Sequence, residues 1–160
     1  MFFFKKKISL KEFCHSKCDF IFSEGGKSLM FNFLDKCNDK SLIINHRGDY
    51  FENFTAVYRQ LLGIALVKNC SREIALEGQF ILNEYFESIG FTDKFTEIYR
   101  QYNSAFGSSS VDGIKPMVFT FIDNVIGTKP SDEDFKLFYD GFYSILSSLF
   151  NEIKKVKLVI

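Results

Sequence analysis

The stretch Phe135-Lys136-Leu137-Phe138-Tyr139-Asp140-Gly141-Phe142-Tyr143-Ser144-Ile145-Leu146-Ser147-Ser148-Leu149-Phe150-Asn151-Glu152-Ile153-Lys154 decides the fold. Stepped at about 100° per residue, Phe135, Phe138, Tyr139, Phe142, Tyr143, Ile145, Leu146, Leu149, Phe150 and Ile153 fall within an arc of roughly 160°. Lys136, Asp140, Ser144, Ser147, Ser148, Asn151 and Lys154 fill the remainder, and Leu137 is the one apolar residue clearly outside the arc. So wide an arc exceeds a coiled-coil seam and suits a helix held between two or three neighbours. Ser131 supplies its N-cap, with Asp134 three residues on.

Six further stretches carry apolar residues at helical spacing. Backward along the chain, Gly127 closes a helix in which Pro116 suits the first position. The run Gly107-Ser108-Ser109-Ser110-Val111-Asp112-Gly113 has the composition of a flexible connection. Thr92 caps a helix with Phe95, Ile98, Tyr99, Tyr102 and Phe106 inside. Ser71 caps another, with Ile74, Ile81, Leu82, Tyr85 and Ile89 inside and Gly90 where a left-handed residue is wanted. Asp49 reads as the N-cap of a helix whose first turn holds Glu52 and whose inner stripe is Phe51, Phe54, Tyr58, Leu61, Leu62 and Ala65. Before it, residues 39–48 read as a connection in which Leu42-Ile43-Ile44 fits either a short strand or a buried turn. A short helix uses Leu29, Met30, Phe33 and Leu34 and stops near Asn38. The first helix opens on Ser9 and Glu12, spaced as a capping box. It buries Leu10, Phe13, Cys14, Cys18, Ile21 and Phe22, and Gly25-Gly26 ends it.

The expected fold is therefore all-α: one domain, residues 9–155, built as an irregular or orthogonal bundle of six to seven helices. It is flanked by an aromatic and basic segment, 1–8, and a C-terminal tail, 156–160. No internal repeat at a fixed period is evident. A chain of 160 residues fits one domain and buries about 70% of its unfolded surface. The aromatic core is dominated by phenylalanine, with 21 Phe, 7 Tyr and no Trp.

Twenty basic and twenty acidic residues cancel, which leaves no excess of positive charge to carry a nucleic-acid interface. The start, Met1-Phe2-Phe3-Phe4-Lys5-Lys6-Lys7, runs apolar before basic, the reverse of a signal peptide. No stretch has the length to span a bilayer. The expected location is cytoplasmic, with Cys14, Cys18, Cys37 and Cys70 as reduced thiols.

The motifs that carry chemistry are sparse. Gly26-Lys27-Ser28 matches the end of a P-loop, but position 21 is Ile where the motif needs glycine, and no strand precedes it. Cys14, His15, Cys18, Cys37 and His46 are the soft-ligand set. Cys14 and Cys18 share an apolar helix face and His15 points about 100° away, so buried free thiols fit better than zinc, and no metal or cofactor is expected. No Gly-x-Ser-x-Gly nucleophile elbow occurs. Glu84 and Glu87 read as a solvated pair on a helix exterior.

Asn45-His46-Arg47-Gly48-Asp49 is the most polar loop. Its His46 and Arg47, together with the two hydroxyl-bearing rings of the last helix, Tyr139 and Tyr143, are the candidate binding residues. Three function classes follow. The foremost is a non-enzymatic interaction domain with a protein partner or a second copy of itself, because aromatics concentrate at interface centres. The second is a carrier or sensor of a small apolar ligand between helices. The third is an enzyme using the His46 loop. Phe2, Phe3 and Phe4 followed by Lys5, Lys6 and Lys7 also fit peripheral contact with an anionic membrane, with docking of the rings onto the domain as the favoured alternative.

Overall fold

The computed structural model describes residues 5–39, 47–91, 93–127 and 129–160, and at 47–48 the backbone alone. Within these residues the chain runs β1 (Lys6–Ser9), α1 (Leu10–Phe22), α2 (Glu24–Lys36), α3 (Arg47–Asn69), α4 (Arg72–Ser88), α5 (Asp93–Gly107), α6 (Ile114–Val125), α7 (Asp132–Lys155) and β2 (Val156–Val159). The fold is an all-α bundle, as the apolar periodicity requires.

α3 is its axis. It packs against α4, α5, α6 and α7 and touches α1. Every residue from Asn53 to Leu66 is buried. α1 lies against α2 and α4, and α5, α6 and α7 follow one another around the far side. The centre is a set of rings with no water access: Phe54, Phe121, Phe138 and Phe142. They meet largely edge to face, with centroids 5.4 Å apart for Phe121 and Phe142 and 6.0 Å for Phe54 and Phe142. That is the geometry favoured by the ring quadrupole. α7 follows its periodicity except at Tyr143, which lies within the apolar arc and is exposed. Phe138, Phe142, Ile145, Leu146, Leu149 and Ile153 are buried, and Asp140, Ser144, Ser147 and Ser148 face water.

Several expectations need correction. Gly25 and Gly26 do not end α1; the break is one residue wide, at Ser23, whose Oγ accepts from Gly26 N and caps α2. Gly26 sits on the turn of chain it follows, and a Cβ there would collide with the carbonyl oxygens of Phe20 and Ile21. Lys27 is a helical residue paired with Glu24. Ser9 precedes α1, yet its side chain makes no capping hydrogen bond. α3 starts at Arg47, so Asp49 lies inside its first turn rather than before it. Pro116 is the third residue of α6, and Asp112 Oδ1 caps that helix by accepting from Ile114 N at 3.1 Å. Leu42-Ile43-Ile44 and Thr92 lie outside the described residues.

The two segments placed outside the helices are joined to each other. β1 and β2 pair in parallel, Lys6 with Val156 through Ser9 with Val159. The register turns Leu158 into the core and Ile8 toward it while Lys6, Lys7 and Lys157 stay in water. Lys6 and Lys7 are thus strand residues, and Phe2, Phe3 and Phe4 lie outside the described residues. No helix among the described residues is long and apolar enough to cross a membrane.

Candidate functional site

α3 is not apolar on all sides. Its buried positions include Asn53, Thr55, Arg59 and Gln60. A buried polar group is costly unless a partner meets it, and for two of these the partners come from neighbouring helices. Asn53 Oδ1 accepts from the Tyr102 hydroxyl at 2.5 Å and from Asn124 Nδ2 at 3.1 Å. Gln60 Nε2 donates to Asn103 Oδ1 at 3.1 Å.

Arg59 differs. The residue is 3% exposed. One amino group, Nη2, donates to Asn83 Oδ1. The guanidinium lies over the Tyr99 ring, its carbon 3.6 Å from the centroid. Nη1 is buried with no hydrogen-bond partner, and among the described residues no carboxylate lies within ion-pair distance of Arg59. Burial lowers its pKa from the ordinary arginine value, yet a guanidinium keeps its proton in proteins. A buried, charged group with a donor left over is a rare arrangement, since buried charges are as a rule paired.

Arg59 is in the lining of a cavity of about 330 Å³ between α3, α4 and α5. Asn83, Phe86 and Glu87 come from α4, and Phe95, Thr96, Tyr99 and Arg100 from α5. The remaining wall, Phe91, is placed by how α4 stops. Gly90 takes φ +85, which glycine adopts without steric cost. Gly90 N donates to Glu87 O and Phe91 N to Phe86 O, both at 3.1 Å. This is the paired hydrogen-bonding of a Schellman stop, and it folds the following apolar residue back onto the last turn. Phe91 accordingly meets Phe86 at 5.5 Å and Phe95 at 4.4 Å, with Phe86 stacked on Phe95 at 5.0 Å. The lining carries two guanidiniums and one carboxylate, Glu87, and Arg100 lies 3.7 Å from Glu97.

Beyond Phe91 lies a second, almost wholly apolar groove of about 340 Å³, lined by Ile21, Phe22, Met30, Phe31, Phe51 and Thr55 among others. Phe22 and Phe31 are each more than one-third exposed. Phe22 touches both Phe91, at 5.7 Å, and Phe86, at 6.3 Å.

Of the residues expected from sequence to bind, His46 lies outside the described residues, and Arg47 is placed in the first turn of α3 by its backbone alone. Tyr139 and Tyr143 do come together, with centroids 5.3 Å apart. The Tyr139 hydroxyl donates to Asp112 Oδ2 at 2.6 Å, which raises its pKa to about 12. That bond ties α7 to the carboxylate capping α6. Neither tyrosine lines the Arg59 cavity. They end an aromatic row, Phe119, Phe135, Tyr139, Tyr143, that reaches solvent at both ends.

The thiols stay protonated at neutral pH. Burial pushes Cys14, Cys18 and Cys37 up to about 12, and Cys70 upward in the same way, so none has the thiolate character of a nucleophile. Among the described residues no group of three or more His, Cys, Asp or Glu side chains is placed to hold a metal ion.

Arg59, Asn83 and Tyr99 were not singled out by sequence. One signal was available: Arg59 is the only charged residue between Glu52 and Lys68. Comparison with protein-family models, with curated proteins and with solved structures gave no match, so the site stands on its own geometry.

Proposed function

We propose that this chain is a non-catalytic binding domain that holds a small organic anion on Arg59. The observation that carries this is the buried guanidinium, Nη1 unpartnered, in the lining of a cavity walled in part by aromatic rings. Such a group is costly to keep unless an anion completes it, and a guanidinium edge meets a carboxylate or phosphate in a directed, bidentate way. The rings of Phe86, Phe91 and Phe95 offer apolar contact to the body of the ligand, the usual division of labour in small-molecule sites.

The cavity holds no pairing of a nucleophile with a base, and the one carboxylate, Glu87, stands on the exposed face of α4. Binding is accordingly the activity proposed. Calorimetric titration with benzoate and with inorganic phosphate tests it. A carboxylate should bind the native chain and fail to bind Arg59→Met; binding that ignores the substitution refutes the proposal.

The expectation of a protein partner or self-association has one observation in its favour, the row Phe119, Phe135, Tyr139, Tyr143. Phe119 is 49% and Tyr143 43% exposed. Light scattering of Phe119→Ser beside the native chain decides it. A native dimer that the substitution splits supports association through this row, and a monomer in both counts against it.

A further inference from the structure

The Arg59 cavity and the apolar groove lie side by side along α3, a two-part trough divided at Phe91. Glu52 and Thr55 line the groove and Arg59 lines the cavity. Thr55 and Arg59 are four residues apart, so they sit one turn apart on the same face. Phe91 borders both, and its neighbour Phe22 reaches from the groove to Phe86 in the cavity wall. From Glu52 to Arg59 the helix rises about 10 Å.

Charge is distributed unequally along this trough. At the groove end Glu52 is met by Lys94 at 3.0 Å, and at its rim Lys27 is met by Glu24 at 2.8 Å. At the cavity end Arg100 is met by Glu97 at 3.7 Å, so Arg59 is the guanidinium of the lining that no carboxylate meets, and only one edge of it is free because Nη2 is already held by Asn83.

Building on the anion reading above, we propose that the ligand is an amphipathic monocarboxylate. Its carboxylate meets Arg59 Nη1, and its hydrocarbon part passes Phe91 and lies in the groove between Phe22, Phe31 and Phe51. A monoanion matches the one guanidinium left without an ion pair, where a dianionic phosphate ester leaves one charge uncompensated. The trough accommodates a tail of about eight carbons, from the length of α3 that lines it. Glu87 stands in the same cavity as a competing carboxylate for Arg59.

The test is a titration of the full chain with straight-chain carboxylates from butanoate to dodecanoate, each below its micelle concentration. Affinity should rise about fourfold per added methylene, from ~0.8 kcal/mol per buried methylene, and level off near eight to ten carbons. Phe31→Ser, a change at a side chain 38% exposed, should flatten the series while leaving the shortest acids unchanged. Glu87→Gln should tighten every member.

Affinity that is lost in Arg59→Met yet does not depend on chain length overturns the tail assignment and leaves the anion site standing. A series in which Arg59→Met changes nothing overturns both. An octyl phosphate that binds more tightly than octanoate overturns the carboxylate assignment of the head.

Discussion

Replacing Arg59 with methionine separates a site that awaits a ligand from a structural brace. In the empty protein the guanidinium has two compensations. Stacking on Tyr99 contributes about 2 kcal/mol when desolvated. The charge-assisted bond to Asn83 contributes at the low end of ~1.5–3 kcal/mol, since Asn83 is itself exposed. Against these stand several kcal/mol for removing a charge from water and ~1–3 kcal/mol for the buried Nη1 donor that nothing meets. The unfavourable side is at least as large as the favourable one. Methionine keeps the length of the stem and fills apolar gaps, here beside Phe86 and Phe95. Arg59→Met should therefore unfold in urea within about 1 kcal/mol of the native chain, or at higher stability, with an unchanged m value. In a thermal melt this is a shift of no more than about 4 °C downward. Breaking a buried, compensated ion pair instead costs ~3–5 kcal/mol. A loss of that size refutes the reasoning and makes Arg59 a brace between α3, α4 and α5.

Three further outcomes follow from the same structure. Asn53 and Tyr102 should show coupling of about 1 kcal/mol in a double-mutant cycle of Asn53→Ala and Tyr102→Phe by urea unfolding, because Asn53→Ala strands the buried Tyr102 hydroxyl while after Tyr102→Phe Asn53 Oδ1 keeps Asn124; strict additivity would count against the hydrogen bond as a stabilising contact. Stability should fall as pH rises from 9 toward 12, since the folded state keeps Cys14 and Cys18 protonated to about 12 while unfolded thiols ionise from 9.0 upward. Each thiol contributes at most about 1.4 kcal/mol per pH unit in that window, and Cys18→Ala should make the alkaline slope shallower. Gly26→Ala should destabilise by ~1–3 kcal/mol, because backbone cannot yield to the new Cβ; Gly107→Ala, where a Cβ meets nothing within 4 Å, should be neutral or stabilise by a few tenths to ~1 kcal/mol.

The helices were legible wherever one face met water. The arc of α7 named Phe138, Phe142, Leu149 and Ile153 as interior and Asp140 and Ser147 as exterior, and burial follows it at these positions, while Tyr143, also within the arc, is exposed. Periodicity measures contrast between faces, and α3 has little. Its stripe Phe54, Tyr58, Leu61, Leu62, Ala65 is buried as expected, with Phe51 half-buried, but Asn53 and Gln60 on the other side are buried too. Their burial depends on Tyr102, Asn103 and Asn124, partners 43 to 71 positions away, and no local pattern records such a meeting. The strand pair was lost for the same reason. Four residues are too few to show alternation firmly, and Lys6 pairs with Val156 from the opposite end of the sequence, with all the helices between them. The candidate binding residues came from loop composition and hydroxyl-bearing rings; the cavity instead draws on Arg59, which resembles an ordinary helical arginine until its surroundings are known.

That resemblance ends at the pattern of partners. Asn53 and Gln60 occupy the same helix, are equally hidden and have neutral side chains opposite them. A bundle able to supply Asn103 to Gln60 and Tyr102 to Asn53 was able to supply a carboxylate to Arg59. Glu87 is in the same cavity, yet it stands beyond ion-pair reach. The sequence thus gives Asn53 and Gln60 of α3 partners on neighbouring helices and leaves Nη1 of Arg59, in the lining of a cavity, without one. Sequences that specify a fold are consistent across levels, and local exceptions concentrate at functional sites. In α3 the exception is a charge with a free donor, walled by rings and adjoining an apolar groove, an arrangement whose missing partner is an anion carrying hydrocarbon.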